Sequence, residues 1–370
     1  MSGGTALGAA RGGAAGAAPV PHPGHGDELL EIRDLRLQFR SMRGLVKALD
    51  GVDLTVHERE ILGLVGESGC GKTITGLAVL GLLQRPAAEI TSGTIRFRGD
   101  DLLAKSDKQM EKVRGRQISM VFQDPLASLN PVFGVGGQIE DVVRLHKGVS
   151  RAEARETTMQ ALASVGLPPD RTTLKRYPHQ FSGGMRQRVC MAMALACGSP
   201  LLIADEPTTA LDVTIQAQIL TLLLKLREEL GVAQVLITHN VGVAAQTCDR
   251  IAVMYAGSVV EEGPVAEVLK HPRHPYTIAL YQCLPHGRKA PELQTIPGTV
   301  PDLIEPPTGC RFHPRCAHVM EQCPTRKPSS LRVGERHWVS CFWATGEDGG
   351  ATGETSDAPA GRPAGAEASS

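Results

Sequence analysis

Gly66-Glu67-Ser68-Gly69-Cys70-Gly71-Lys72-Thr73 decides how this chain is read. The run fits G-x-x-x-x-G-K-[ST], whose glycines let successive backbone N–H groups turn inward around phosphate oxygens. A helix starting there adds its positive N-terminal end. Lys72 is expected to reach the terminal phosphates, and Thr73 offers a hydroxyl to Mg2+. A Gly-rich turn can match the pattern by chance. Here the context fits as well: the apolar run Glu60–Val65 precedes it, and Ile74–Leu83 has helical spacing.

Outward from this loop, further short apolar runs predict buried strands at Ile118–Phe122, Leu201–Ala204, Val235–Thr238 and Ile251–Met254. Helical patterns separate them at Arg151–Val165, Met185–Ala196 and Ile215–Leu230. This alternation implies a largely parallel sheet covered on both faces, an α/β fold. From Pro291 to Cys341 prolines and cysteines rise and periodicity fades, which suggests a separate small module. Residues 1–27 are mostly Gly, Ala and Pro, and residues 346–370 are similar but acidic. Both are expected to be disordered tails.

Composition narrows the function. The 370 residues are 42% hydrophobic, which excludes a disordered or collagen-like chain. Lys+Arg and Asp+Glu balance at 39 each, and aromatics are 4%. Neither bulk electrostatics nor stacking platforms therefore point to nucleic acid as a partner. The most apolar run, Val189–Ala204, is broken by Gly198-Ser199-Pro200 and too short to span a bilayer. No leucine-rich signal core is seen, and the reading is a soluble, intracellular protein. Nine cysteines, an odd number, fit a disulfide framework poorly.

Leu201-Leu202-Ile203-Ala204-Asp205-Glu206 is an apolar strand ending in two acids. Asp205 is placed to hold Mg2+, and Glu206, one residue on, could polarise an attacking water. Ser182 precedes a helix as a good N-cap, with Gly183 and Gly184 leaving bare N–H groups. In order along the chain stand the phosphate loop, Gln123 in Val121-Phe122-Gln123-Asp124-Pro125, Ser182–Met185, Asp205-Glu206, Ala210-Leu211-Asp212 and His239. In this set the sequence resembles the ATP-binding subunits of ABC transporters from about Leu29 to Cys341.

The resemblance implies a RecA-like P-loop ATPase core, an antiparallel β portion near the N-terminus and a helical signature subdomain, with an insert around Gly134–Leu167. Together these would occupy residues 28–284, the helical part spanning about 134–190, followed by a small Cys-containing C-terminal module at 285–345. It implies that Phe39 stacks on adenine. Gln123 would touch Mg2+ and the attacking water, and His239 would contact the γ-phosphate and hold Glu206. The signature Ser182-Gly183-Gly184 and Asp212 would face ATP bound on a second, head-to-tail subunit. Two departures are visible: Met185 where the family has Gln, and Asn240 where Asp is usual. Neither position is expected to take part in bond-making chemistry.

A narrower resemblance, to ATPase subunits of dipeptide and oligopeptide importers, rests on several motifs. They are His274-Pro275-Tyr276-Thr277, Ile296-Pro297-Gly298, Gly309-Cys310-Arg311-Phe312, Arg315-Cys316, Ser128-Leu129-Asn130-Pro131 and Pro207–Val213. The first of two paralogous subunits matches best. Pro275 also reads simply as the first residue of a helix. The implied partners are a paralogous ATPase or a second copy, two membrane permease subunits and an extracytoplasmic peptide-binding protein. The implied place is the cytoplasmic face of the membrane, as a peripheral subunit. Cys310, Cys316, Cys323 and Cys341 are spaced C-x5-C-x6-C-x17-C, without a C-x-x-C pair. A [4Fe–4S] cluster, held by such cysteines in some relatives, zinc, or free thiols all remain open for them.

Rival readings keep the class with nickel, an opine or glutathione as cargo, or change it to a non-transport ABC ATPase or a degenerate subunit. The stretch from Thr73 to Asp205 has room only for a helical insert, and one ATPase unit is present, which disfavours DNA-repair and translation members. Glu206 and His239 disfavour a non-hydrolysing chain.

Overall fold

The computed structural model describes residues 27–209, 211–283 and 295–346. The two expected tails, Ala210 and the expected boundary at 284/285 lie outside the described residues, apart from Asp27 and Gly346 at their edges.

Twelve strands are seen among the described residues. They are β1 (Glu28–Ser41), β2 (Gly44–His57), β3 (Ile61–Val65), β4 (Ala88–Phe97), β5 (Asp100–Asp101) and β6 (Ile118–Val121), then β7 (Leu201–Asp205), β8 (Ala233–Thr238), β9 (Arg250–Tyr255), β10 (Ser258–Pro264), β11 (Leu331–Gly334) and β12 (His337–Val339). One sheet, ordered β2-β1-β4-β5, is antiparallel. The other is ordered β11-β12-β10-β9-β3-β8-β7-β6. Its β9-β3-β8-β7-β6 part is parallel, while β10, β11 and β12 run antiparallel. Strands β3, β7, β8 and β9 are buried at every position, which is why they read as unbroken apolar runs.

The sheets bury their facing sides in one core. Leu30, Ile32, Leu35 and Leu37 of β1 join Leu62 and Leu64 of β3 and Ile203 of β7 there. The opposite face of the parallel strands is covered by the helical part, through Val135, Ile139, Val143, Leu162 and Val189, and by Leu223 of the helix Val213–Leu230. The insert comprises helices Val135–Lys147, Arg151–Ser164 and Arg171–Lys175, and the signature helix is Gly183–Leu195. Ser150 and Glu153 form a reciprocal cap that starts the second of these helices.

The helix after the phosphate loop is shorter than its spacing suggests. It runs Lys72–Val79, because the chain turns at Gly81 with φ 60°. The segment expected as a separate small module shares both sheet and core with the rest. Strand β12 pairs with β10 at Glu261↔Val339 and Glu262↔Trp338. Tyr276 and Phe312 pack in one cluster with Val65, Tyr255 and Val253.

Candidate functional site

The parallel strands all end at one edge of the sheet, and the residues following them gather there, as in open α/β sheets generally. Strand β3 delivers the phosphate loop, β6 leads into Gln123, β7 ends in Asp205 before Glu206, and β8 leads into His239. The loop needs its first glycine. Gly66 has φ 158°, and a Cβ there would lie 2.1 Å from the Met254 carbonyl oxygen. Lys72 is 5% exposed, and its Nζ donates to the Gly66 carbonyl at 2.8 Å and the Glu67 carbonyl at 3.0 Å. Its ammonium thus lies inside the loop. Thr73 is the second residue of the helix and donates its hydroxyl to Asp205 Oδ1 at 3.0 Å.

Asp205 and Glu206 are adjacent but electrostatically opposite. Burial pushes the Asp205 carboxyl up, the Thr73 hydrogen bond opposes this, and the Glu206 charge adds to it. Burial also pushes Glu206 up, but bonds from His239 and Thr209 outweigh it and hold the carboxyl below its ordinary range. Glu206 Oε2 accepts from Thr209 Oγ1 at 2.9 Å and Gln123 Nε2 at 3.1 Å, while His239 Nδ1 lies 3.0 Å from Oε1. The Glu206 backbone is left-handed, φ 45°, with its N–H bonded to the Ile237 carbonyl at 2.9 Å. Strained backbone at a non-glycine residue gathers at functional sites. Asp205 and Thr73 form an all-oxygen pair with a buried carboxylate, a donor set that fits a hard divalent cation such as Mg2+.

Ser182 is the N-cap of the signature helix, its Oγ accepting from the Met185 N–H at 3.4 Å. The two glycines after it allow close packing: a Cβ on Gly184 would meet Ile215 Cγ2 at 2.4 Å. Asp212 caps the Val213–Leu230 helix, accepting from the Ile215 N–H at 3.0 Å. Asn240, the departure from Asp, caps Val241–Thr247 through bonds from Gly242 and Val243, which an Asn side chain does as well as Asp. Phe39 is half-buried on β1, paired with Val46 and Ala88 and packed against the core. Within this chain, then, Gln123, Glu206 and His239 meet directly, as do Thr73 and Asp205. Among the described residues, Ser182 and Asp212 bond at their own helix starts and Phe39 packs on the core, and none of the three hydrogen-bonds to that group.

Cys310, Cys316, Cys323 and Cys341 line one cavity with His274, His313, His318, Phe312 and Phe342. All are free thiols. Burial pushes Cys310 up to about 11 and Cys341 up to about 12, and neighbouring cysteines add to both. Among the described residues no three His, Cys, Asp or Glu side chains form a group that could hold a metal ion. The expected ligand set is therefore gathered around a cavity but is not assembled as a metal site, so the fit to a cluster fails as it stands. No described helix is long and apolar enough to cross a membrane.

Three residues of the site escaped sequence reading. Thr209 lies three residues beyond Glu206, within a motif noted above without a role for this hydroxyl. Tyr276 accepts the Glu67 N–H at 2.9 Å, and Arg315 makes a two-pronged ion pair with the Glu67 carboxylate.

The chain is similar to known proteins over most of its length. Residues 49–209 match the ABC transporter family model, and residues 260–323 match the oligopeptide/dipeptide transporter C-terminal region. The chain is 47% identical over 313 residues to the oligopeptide transport ATP-binding protein OppD of Salmonella typhimurium, covering 84% of this chain and 92% of that protein. It is 45% identical over 317 residues to the dipeptide transport ATP-binding protein DppD of Bacillus subtilis, covering 85% and 95%. The dimeric structure of a bacterial ABC transporter cassette superposes with TM-score 0.57 and 28% identity, over 64% of this chain and 99% of that one. The same cassette bound to ADP and Pi, in a post-hydrolysis state, gives the same figures.

Proposed function

Because the chain belongs to the ATP-binding subunits of ABC transporters, of the oligopeptide and dipeptide type, we propose that it binds and hydrolyses ATP to power peptide import through a membrane permease. The observation that carries this reading is the convergence of Gln123, Thr209 and His239 on Glu206, beside a phosphate loop whose lysine points inward. In this reading Glu206 stays ionised and takes the proton of the attacking water. His239 and Gln123 hold its carboxylate in place and orient the water. Lys72 and the loop N–H groups from Gly66 to Thr73, through Ser68, Gly69, Cys70 and Gly71, bind the phosphates, and Phe39 stacks on adenine. Thr73, Gln123 and Asp205 would hold Mg2+, which supplies charge neutralisation at the β- and γ-phosphates.

Residues 28–284 act as the ATP-binding domain and 285–345 as the C-terminal peptide-importer segment. Ser182, Gly183, Gly184 and Asp212 act on ATP held by the other subunit, a paralogue or a second copy. Phe122, Leu126, Val132 and Phe133, 40–69% exposed in the stretch 122–133 that holds Gln123, support a docking face for the permease at the cytoplasmic side. A separate peptide-binding protein would deliver cargo from outside. A [4Fe–4S] cluster at the four cysteines requires them to close in. Iron and labile-sulfide analysis after anaerobic purification decides that point, with absence of both rejecting it.

The test of the whole reading is uptake in cells expressing the complete transporter. Labelled di- and oligopeptides should enter, and Glu206→Gln should stop them. Uptake of nickel, an opine or glutathione in their place would reassign the cargo, and peptide entry unaffected by Glu206→Gln would end the reading.

A further inference from the structure

Glu67 is an awkward residue for a loop that binds phosphates, because its carboxylate repels them. The structure shows how that charge is managed. The Arg315 guanidinium donates from Nη1 to Glu67 Oε2 at 2.8 Å and from Nη2 to Oε1 at 3.2 Å. Its remaining N–H groups are also used. Nε donates to the Pro297 carbonyl at 2.8 Å, Nη2 to the Ile296 carbonyl at 3.4 Å, and Nη1 to the Tyr255 hydroxyl at 3.3 Å. The five donors of the fork are thus all committed. The Arg315 side chain is only 5% exposed, against 27% for Glu67, so the pair is not a solvated surface bridge. Tyr276 anchors the same residue from the backbone side, accepting the Glu67 N–H at 2.9 Å. Tyr255, Tyr276 and Phe312 pack against one another at 4.7–5.4 Å between ring centres, behind both anchors.

We propose that Arg315 is a positioning residue of the nucleotide site: it neutralises Glu67 and turns its carboxylate away from the phosphates, so the C-terminal segment sets the affinity for ATP. This rests on the nucleotide reading above. Arg315 touches no phosphate. It acts through Glu67, across 248 residues of sequence. Removing it strands a part-buried carboxylate beside the triphosphate and frees the start of the loop. Two parallel N–H···O bonds fix orientation in a way a lysine cannot reproduce.

The test uses the full chain and a fluorescent ATP analogue, with ATPase kinetics of the assembled transporter alongside. Arg315→Ala should raise the Kd for the analogue and the KM for ATP by about tenfold or more, with kcat changing less, as for a charge left without its partner. Arg315→Lys should fall between. Glu67→Gln placed in the Arg315→Ala background should recover most of the lost affinity, because the stranded charge is gone. Structural damage alone would not be repaired by that second change. Thermal unfolding of each variant separates loss of fold from loss of affinity, and Arg315→Lys serves if Arg315→Ala does not fold. Unchanged affinity in both Arg315 variants, or a double variant as weak as Arg315→Ala, overturns the proposal while Lys72→Ala still abolishes binding. A wild-type chain that binds no ATP analogue overturns the nucleotide reading and this inference with it.

Discussion

Glu206 combines a strained backbone with a carboxylate held by three side chains, and both facts bear on its chemistry. A left-handed non-glycine residue costs roughly 1–2 kcal/mol, so the surroundings must hold it. Glu206→Gln keeps the size of the side chain and removes the proposed base. ATP turnover should fall about 10²- to 10⁴-fold, while ATP binding persists; turnover near wild type would remove Glu206 from the chemistry. The sign of the pH dependence follows from the lowered carboxyl. Glu206 is charged at ordinary pH and loses that charge only as pH falls through its depressed value. Thr209→Val deletes one bond to the charged form and should move the acid limb of the ATPase pH profile upward. A limb that stays put shows that Thr209 does not tune the base. The acids were legible in the sequence because they end an apolar strand behind a phosphate loop. Thr209, Tyr276 and Arg315 were not, since a hydroxyl or guanidinium shows its partner only after distant segments meet.

At the scale of elements, legibility followed burial. Strands β3, β7, β8 and β9 are enclosed on both faces and announce themselves as apolar runs. Strand β1 does not, because its register shifts at Ile32/Leu35 and Leu37/Phe39 break the alternation that marks a strand. Strands β11 and β12 are four and three residues long and take their place only by pairing, β12 on β10 and β11 on β12. The helix Pro275–Gln282 was readable from Pro275, but the task of its cap was not. His274 caps it, with Nδ1 accepting the Tyr276 N–H at 3.0 Å, and is fully buried. Burial lowers its pKa to about 4, which the nearby Glu261 charge only partly opposes. An unfolded histidine titrates near 6.5, so below that pH the unfolded chain takes up a proton that the native chain refuses. Stability is therefore lost as pH falls from about 6.5 toward 4, by about 2 kcal/mol at pH 5 from this residue. His274→Asn supplies another good N-cap without the titration. Urea unfolding at pH 7.5 and pH 5 should show a smaller acid loss in that variant; an equal loss would assign the pH dependence to other groups.

At the scale of the molecule, the antiparallel sheet, the helical part and the C-terminal segment each pack on the parallel strands, and the last of these also grips the phosphate loop. In the proposed reading, the second half of a composite site belongs to the other subunit. In that reading the phosphate loop would hold one side of a triphosphate, and Ser182-Gly183-Gly184 offers a second set of N–H groups at the start of its own helix. Head-to-tail pairing would bring that helix start to the partner's γ-phosphate, which is why order along the sequence suggested it but this chain's contacts do not display it. Ser182→Arg puts a long cationic side chain where the partner's phosphate would lie and removes the Ser182 hydroxyl. Its harm belongs in trans. In the assembled transporter, each phosphate loop can be disabled in turn by a Lys→Ala change, Lys72 being the one in this chain. With this chain's loop disabled, ATP turnover at the partner's loop should collapse when Ser182→Arg is added. With the partner's loop disabled instead, turnover at this chain's own loop should fall much less, and binding of ATP by the isolated Ser182→Arg chain should match wild type. Loss confined to this chain's own ATP binding would mean that the signature serves its own loop, and the paired mechanism would have to be abandoned.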